Sequence, residues 1–288
     1  MAEGAAMLED IADRGRIAFV LPGGASYGAA QVGMLRALLE AGIKPDFVIG
    51  TSAGALNAVG FAVDPTLDGV RALDAAWREA RRSKIFRLSP VSVTYGLIGR
   101  RNYLINPRGL REWIVQHLDL QRLEHTLLPA HVVTTDVDTG DPVVLSHGSA
   151  VEALLASCAI PAVFPPVEID GRLLMDGGVA ADTPVPEARE LGATVMFVLP
   201  TYSTETVPGR PARPHSAIQM GLHAIGQLLG HATFDVMAGT TDAADVYLLP
   251  APPSGGIAPF DLSGAADLID RAYELARTWL RDRQLAPA

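Results

Sequence analysis

The stretch that decides the fold is residues 17–62, IAFVLPGGASYGAAQVGMLRALLEAGIKPDFVIGTSAGALNAVGFA. Ile17 to Leu21 is a short continuous apolar run closed by Pro and Gly, the pattern of a strand buried on both faces. Gly28 to Glu40 follows with Val32, Leu35, Leu38 and Leu39 at helical spacing, and Gly42 is a stop signal. Phe47 to Ile49 reads as a second short strand, and Ala53 to Phe61 as a second helix made of small residues. Strand, loop, helix, strand, turn, helix is the order that builds a mostly parallel sheet with helices packed against it.

The rest of the chain extends this α/β pattern. Residues 65–130 read as helices and loops, with Trp77 and Trp113 on helical segments. Strands are predicted at His131–Thr135, Pro142–Leu145, Leu173–Met175, Thr194–Leu199 and Val246–Leu249. Helices are predicted at Val151–Ala159, Pro186–Leu191, Ala217–Gly239 and Ala265–Arg283; in the last, Leu268, Ala272, Leu275 and Trp279 share a face. Residues 201–215 and 250–259 are rich in Pro and Gly and read as loops. With no internal repeat and no clean linker, one domain over residues 1–288 is expected.

The chain of 288 residues is 49% hydrophobic and 19% charged, with a net charge of −9, so a sizeable core and not a disordered segment is expected. The acidic balance argues against nucleic acid as a partner, because phosphate binding needs a concentrated basic surface. Basic residues nevertheless gather in one stretch: Arg78, Arg81, Arg82, Lys84, Arg87, Arg100, Arg101, Arg108 and Arg111. A solvated helix face accounts for such a run, and so does a surface that meets anionic lipid head groups. The single Cys158 excludes an internal disulfide and lies in an apolar stretch, as a buried core residue would. Acidic Glu9, Asp10 and Asp13 near the N-terminus do not read as a signal peptide, and no apolar run is long enough to span a bilayer. A cytoplasmic protein is therefore expected, with any membrane contact peripheral. Nothing in the sequence specifies an oligomeric state.

Three segments carry chemistry. Gly50-Thr51-Ser52-Ala53-Gly54 is G-x-S-x-G between a strand and a helix. That context presents a serine on a strained turn, and the helix N-terminus adds amide donors. A Ser N-cap between two glycines is the bland alternative. Pro22-Gly23-Gly24-Ala25-Ser26-Tyr27-Gly28 joins the first strand to the first helix, and Gly23 lies about 29 residues before Ser52. Parallel neighbouring strands bring both loops to one sheet edge, where glycines let backbone N–H groups form an oxyanion hole. Neither G-x-G-x-x-G nor G-x-x-x-x-G-K-[ST] occurs, which argues against nucleotide binding. Asp176-Gly177-Gly178 follows a strand; an Asp in a dry site can act as a base, whereas an isolated Asp-Gly is more often a plain turn.

In this order the three segments resemble the patatin-like phospholipase family, over roughly residues 17–199. The stretch Ala156 to Pro166 is also similar to the family's segment before its aspartate. The resemblance implies a three-layer α/β/α fold and hydrolysis of lipid esters by a Ser–Asp dyad. Ser52 would be the nucleophile and Asp176 the proton acceptor. Gly23, Gly24 and Ala25 would form the oxyanion hole, with Gly28, Gly50, Gly54, Gly177 and Gly178 as motif support. Two positions depart from the pattern: Ala25 stands where the family usually has a third glycine, and Tyr27 where it often has Arg. Substrates from phospholipid and lysophospholipid to acylglycerol fit equally. A dyad needs no metal or other cofactor, and neither H-E-x-x-H nor close Cys/His pairs occur.

Two rivals remain open on sequence. A Ser–Asp–His triad would use a downstream histidine such as His215, His223 or His231. A non-catalytic lipid-binding or regulatory module would keep the fold without turnover. The loops at 201–215 and 250–259 and the segment 83–108, where Val91, Tyr95, Leu97, Ile98 and Tyr103 lie beside the arginines, offer a lid or acyl groove, and an ordinary surface subdomain accounts for them equally.

Overall fold

The computed structural model describes residues 15–87, 95, 101–201, 203, 246–253, 258 and 260–285. In chain order the elements are β1 (Ile17–Leu21), α1 (Ala29–Glu40), β2 (Phe47–Thr51), α2 (Ala53–Val63), α3 (Leu67–Glu79) and α4 (Arg82–Ile85). Next come α5 (Arg108–His117), β3 (Ala130–Asp136), β4 (Pro142–Leu145), α6 (Ala150–Ser157), β5 (Val167–Ile169) and β6 (Arg172–Asp176). The chain continues through α7 (Gly178–Ala181), α8 (Val185–Glu190), β7 (Val195–Val198), β8 (Val246–Leu248) and α9 (Ala265–Asp282). The expected helix at 217–239 lies outside the described residues, as does most of the 201–215 loop. β5, a three-residue strand, was not expected; Glu168 and the turn at Asp170-Gly171 hide it from an apolar-run reading.

The strands form one sheet in the order β5-β6-β3-β2-β1-β7-β8, with β4 also paired to β3. β1–β2, β1–β7, β2–β3 and β7–β8 are parallel; β3–β4, β3–β6 and β5–β6 are antiparallel. Alternation on the central strands explains why they are apolar throughout. Phe19, Leu21, Val48 and Phe197 face one core; Ala18, Val20, Phe47, Ile49 and Met196 face the other. The first core packs beneath α1, α2, α3, α6 and α9, and the second beneath α8. The sheet is thus mostly parallel with helices on both faces, as expected. No helix among the described residues is long and apolar enough to cross a membrane.

One detail of β3 positions the site. The chain along β3 bonds β2 and β6 through the same edge: Val48 N–H donates to Pro129 O (3.0 Å) and Val137 N–H to Leu173 O (2.8 Å), both odd-numbered partners. Even-numbered Asp136 turns the other way and donates to Asp141 O beside β4. β2 runs up that edge until Thr51 lies opposite Val133; β6 runs down it until Asp176 lies opposite Thr134. Two strands from distant parts of the chain therefore end head to head, with Ser52 beyond one end and Asp176 at the other.

Candidate active site

Ser52 sits between β2 and α2 with φ 53° and ψ −120°, a conformation that costs a non-glycine residue about 1–3 kcal/mol. The glycines around it permit the turn by close approach. A side chain at Gly54 would meet Leu21 O at 2.0 Å, and one at Gly50 would meet Gly54 O at 2.3 Å. A side chain at Gly28 would press on Ala53 Cβ at 2.7 Å, so the first helix can pass close under the serine turn.

Ser52 Oγ donates to Asp176 Oδ2 at 2.9 Å, across 124 residues of chain. The carboxylate's other oxygen, Oδ1, accepts from Gly178 N–H at 2.8 Å, so one oxygen is anchored and the other faces the serine. Gly177 lies so close to β3 that a side chain there would meet Val133 O at 2.3 Å. Asp176 is 2% exposed. Burial pushes its carboxyl up to about 7, the nearby Asp182 adds to the rise, and the Gly178 and Ser52 hydrogen bonds oppose it. At neutral pH the group therefore exchanges protons readily, as a general base must.

Ser157 ties the serine turn to β3. Its Oγ donates to Val133 O (2.6 Å), in the gap between β2 and β6, and accepts from Ser52 N–H (2.8 Å). The sequence reading placed Ser157 only within a family-like stretch and assigned it no role; a serine in an apolar helix that caps a strand gap has no local signature.

The glycine loop divides its amides. Gly23 N–H donates to Asp182 O at 3.1 Å, and a side chain at 23 would strike Asp182 Oδ1 at 2.3 Å. The expected Gly23 donor is thus engaged with backbone, and the residue serves close packing. Gly24 (φ 152°) and Ala25 (φ 50°) both take positive φ, and neither amide donates to a described acceptor. Ala25 holds the left-handed conformation despite its Cβ. Behind the loop is a buried network: Gln31 Nε2 donates to Pro22 O (2.8 Å) and Leu199 O (3.0 Å). Asn57 Nδ2 donates to Gly28 O and Gln31 Oε1, both at 2.8 Å, and Trp77 Nε1 donates to Asn57 Oδ1 at 2.7 Å.

Ser52 and Ala25 open onto an apolar pocket of about 60 Å³ walled by Leu56, Trp77, Ile85, Phe164 and others. Phe86 closes one side, its ring 5.7 Å from Phe164 and 5.3 Å from Phe260. Cys158 lines the same pocket; burial raises its thiol and keeps it uncharged. His131, among the described histidines, packs edge-on against Phe47 and bonds Ser146 Oγ (2.7 Å), and burial holds it down at about 4. His215, His223 and His231 lie outside the described residues.

The patatin-like phospholipase family model matches residues 19–189, more than half of the chain and inclusive of the glycine loop, the Ser52 turn and Asp176. The chain belongs to the patatin-like phospholipase family. It is 32% identical over 191 residues to patatin-like phospholipase domain-containing protein 7 of Rattus norvegicus, covering 66% of this chain and 14% of that protein. It is 31% identical over 189 residues to lysophospholipase nte1 of Aspergillus terreus, covering 66% of this chain and 12% of that one. The chain therefore spans about a seventh or less of the length of these curated relatives. VipD from Legionella pneumophila, a solved structure, aligns over 93% of this chain and 67% of its own at 15% identity, with a TM-score of 0.47. Tyr27 is buried in the main core, and burial raises its pKa.

Proposed function

We propose that this chain is a serine acyl-hydrolase that cleaves carboxylic ester bonds of lipids through a Ser52–Asp176 dyad. The observation that carries the reading is the 2.9 Å contact between a strained serine hydroxyl and a buried carboxylate, beside an apolar pocket. In acylation Asp176 Oδ2 takes the Ser52 Oγ proton as Oγ attacks the ester carbonyl. The carbonyl oxygen becomes an oxyanion, and the Gly24 and Ala25 amides are its proposed donors. Collapse breaks the ester C–O bond, and the departing alkoxide receives the proton from Asp176. A water then gives a proton to Asp176 and attacks the acyl-enzyme; Ser52 leaves and recovers its proton. The family and the names of its relatives support a lipid ester over other acyl donors.

The test is turnover of a chromogenic short-chain ester together with fluorophosphonate labelling. Wild type is expected to turn over and label. Ser52→Ala should lose both, with kcat lower by at least about a thousandfold. Turnover retained by Ser52→Ala, or wild type that labels with no probe, would overturn the assignment. Replacing His215, His223 and His231 singly by Ala separates dyad from triad: the dyad keeps turnover in all of them.

A further inference from the structure

The basic run in the sequence separates into two populations in the fold. Arg108 pairs with Glu112 (2.9 Å) and Arg111 with Glu152 (2.7 Å), ordinary surface pairs around α5. Arg78, Arg81, Arg82 and Arg87 instead line one open cleft of about 1050 Å³ between the end of α3, α4 and the start of α9. Two of these four are matched by carboxylates: Arg78 by Asp74 and Asp270 (both 2.6 Å), and Arg87 by Glu112 (2.7 Å). Arg81 donates only to backbone, to Arg78 O (2.7 Å) and Ala80 O (2.9 Å), and Arg82 forms no ion pair with a described residue. The one acid among the described residues of the cleft wall, Asp261, is held by Ser263 N–H (3.0 Å) and Ser263 Oγ (2.7 Å); these bonds, and to a smaller extent Arg82, lower its pKa. Arg81 and Arg82 thus line the cleft with no ion pair to a described carboxylate, in a protein whose net charge is −9.

The second observation is where the cleft leads. Ala80, Phe86 and Leu262 belong both to its wall and to the wall of the apolar pocket at Ser52. A basic compartment and an apolar one therefore share a partition beside the nucleophile, the charge layout of a single-chain amphiphile whose ester lies between an anionic head and an acyl tail.

We infer that the cleft lined by Arg81 and Arg82 is a subsite for the phosphate of the substrate's own head group, with the acyl chain entering the pocket beyond Phe86. This rests on the serine-hydrolase reading for the ester, but the phosphate subsite is testable without turnover. The probe is monodecanoyl lysophosphatidylglycerol, compared with monodecanoylglycerol, which carries the same chain without the phosphate. Both are titrated as monomers into Ser52→Ala protein by calorimetry. Adding Arg81→Gln and Arg82→Gln should raise the Kd of the phospholipid about tenfold and leave the Kd ratio of the two ligands correspondingly smaller. Arg82→Gln alone should shift the ratio in the same direction; its side chain makes no described hydrogen bond, so the fold does not depend on it.

A ratio within twofold of the parent in both variants would overturn the inference. So would a loss confined to binding of phosphatidylglycerol vesicles, which would make the arginines a membrane contact. An effect seen with inorganic phosphate but not with the lysophospholipid would make the cleft a free-anion site and would overturn it equally. Failure of wild type to hydrolyse any ester would sink the proposed reaction and leave these binding results to stand or fall alone.

Discussion

Asp176, the proposed base, carries a stability cost as well. Its carboxyl sits at about 7 against an ordinary value of 3.8, chiefly because burial disfavours the charged form. A folded pKa above the unfolded one means that the native state binds the proton more tightly. Stability from this group is therefore full below about pH 4 and falls as pH rises toward about 7. The loss is on the order of 4 kcal/mol at most. Asp176→Asn should be inactive and yet melt higher than wild type at pH 8, with the difference fading toward pH 4; a lower Tm at pH 8 would contradict the buried-carboxylate account. In the wild type, kcat/KM should rise about tenfold per pH unit up to about pH 7 and then level, because only the ionised carboxylate accepts the serine proton. Ala25 offers an independent residue-level test. Its φ of 50° suits glycine, so Ala25→Gly should retain turnover and change stability by no more than about 1 kcal/mol, since relieved strain is offset by a freer unfolded chain. A collapse of activity in that variant would show that the Cβ shapes the pocket.

Ser157 matters at the scale of elements, because its one hydroxyl joins α6 to β3 and to the turn that follows β2. Ser157→Ala would leave Val133 O and Ser52 N–H buried without that partner, at roughly 1–3 kcal/mol for each group. We expect a drop in Tm and a fall in kcat of about tenfold or more with KM little changed, because the nucleophile's backbone would lose its tether. Unaltered kcat in a folded Ser157→Ala protein would reduce the residue to ordinary packing. The antiparallel entry of β6 along the β3 edge was not readable beforehand. Arg172–Asp176 looks locally like any short strand, and its direction depends on the β5–β6 turn.

Across the whole molecule, α9 closes the side of the sheet that carries the Ser52 turn. It crosses α1 so closely that a side chain at Gly33 would meet Ile269 O at 2.2 Å, and its Leu268, Ala272, Ala276 and Leu280 are buried. The family match ends at residue 189, before this helix begins. Gly33→Leu should destabilise by several kcal/mol through overpacking at backbone contact distance. A variant that melts as wild type would show that the α1–α9 contact is loose. The arginine run behaves differently at this scale. Sequence places nine basic side chains within about thirty-four residues, but carboxylates on α5, α6 and α9 and in the α3 region decide which of them remain available.

The sequence by itself determined the strand–helix order, the two-sided burial of the central strands, the serine turn with its small neighbours, and Ser52 and Asp176 as separate candidates. Those properties are local: apolar periodicity, glycine where backbone must pass closely, and motif order are written within a few residues of each feature. Tertiary structure alone decided that Gly23 N–H is engaged by Asp182 O, that Ser157 links Ser52 N–H to Val133 O of β3, and that Arg81 and Arg82 have no carboxylate partner among the described residues. It also decided the charge state of Asp176, because desolvation is set by side chains from every layer of the fold. Hydrogen-bond partners 105 and 124 residues apart are chosen by chain path and burial, and neither is encoded in the residues on either side of the bond.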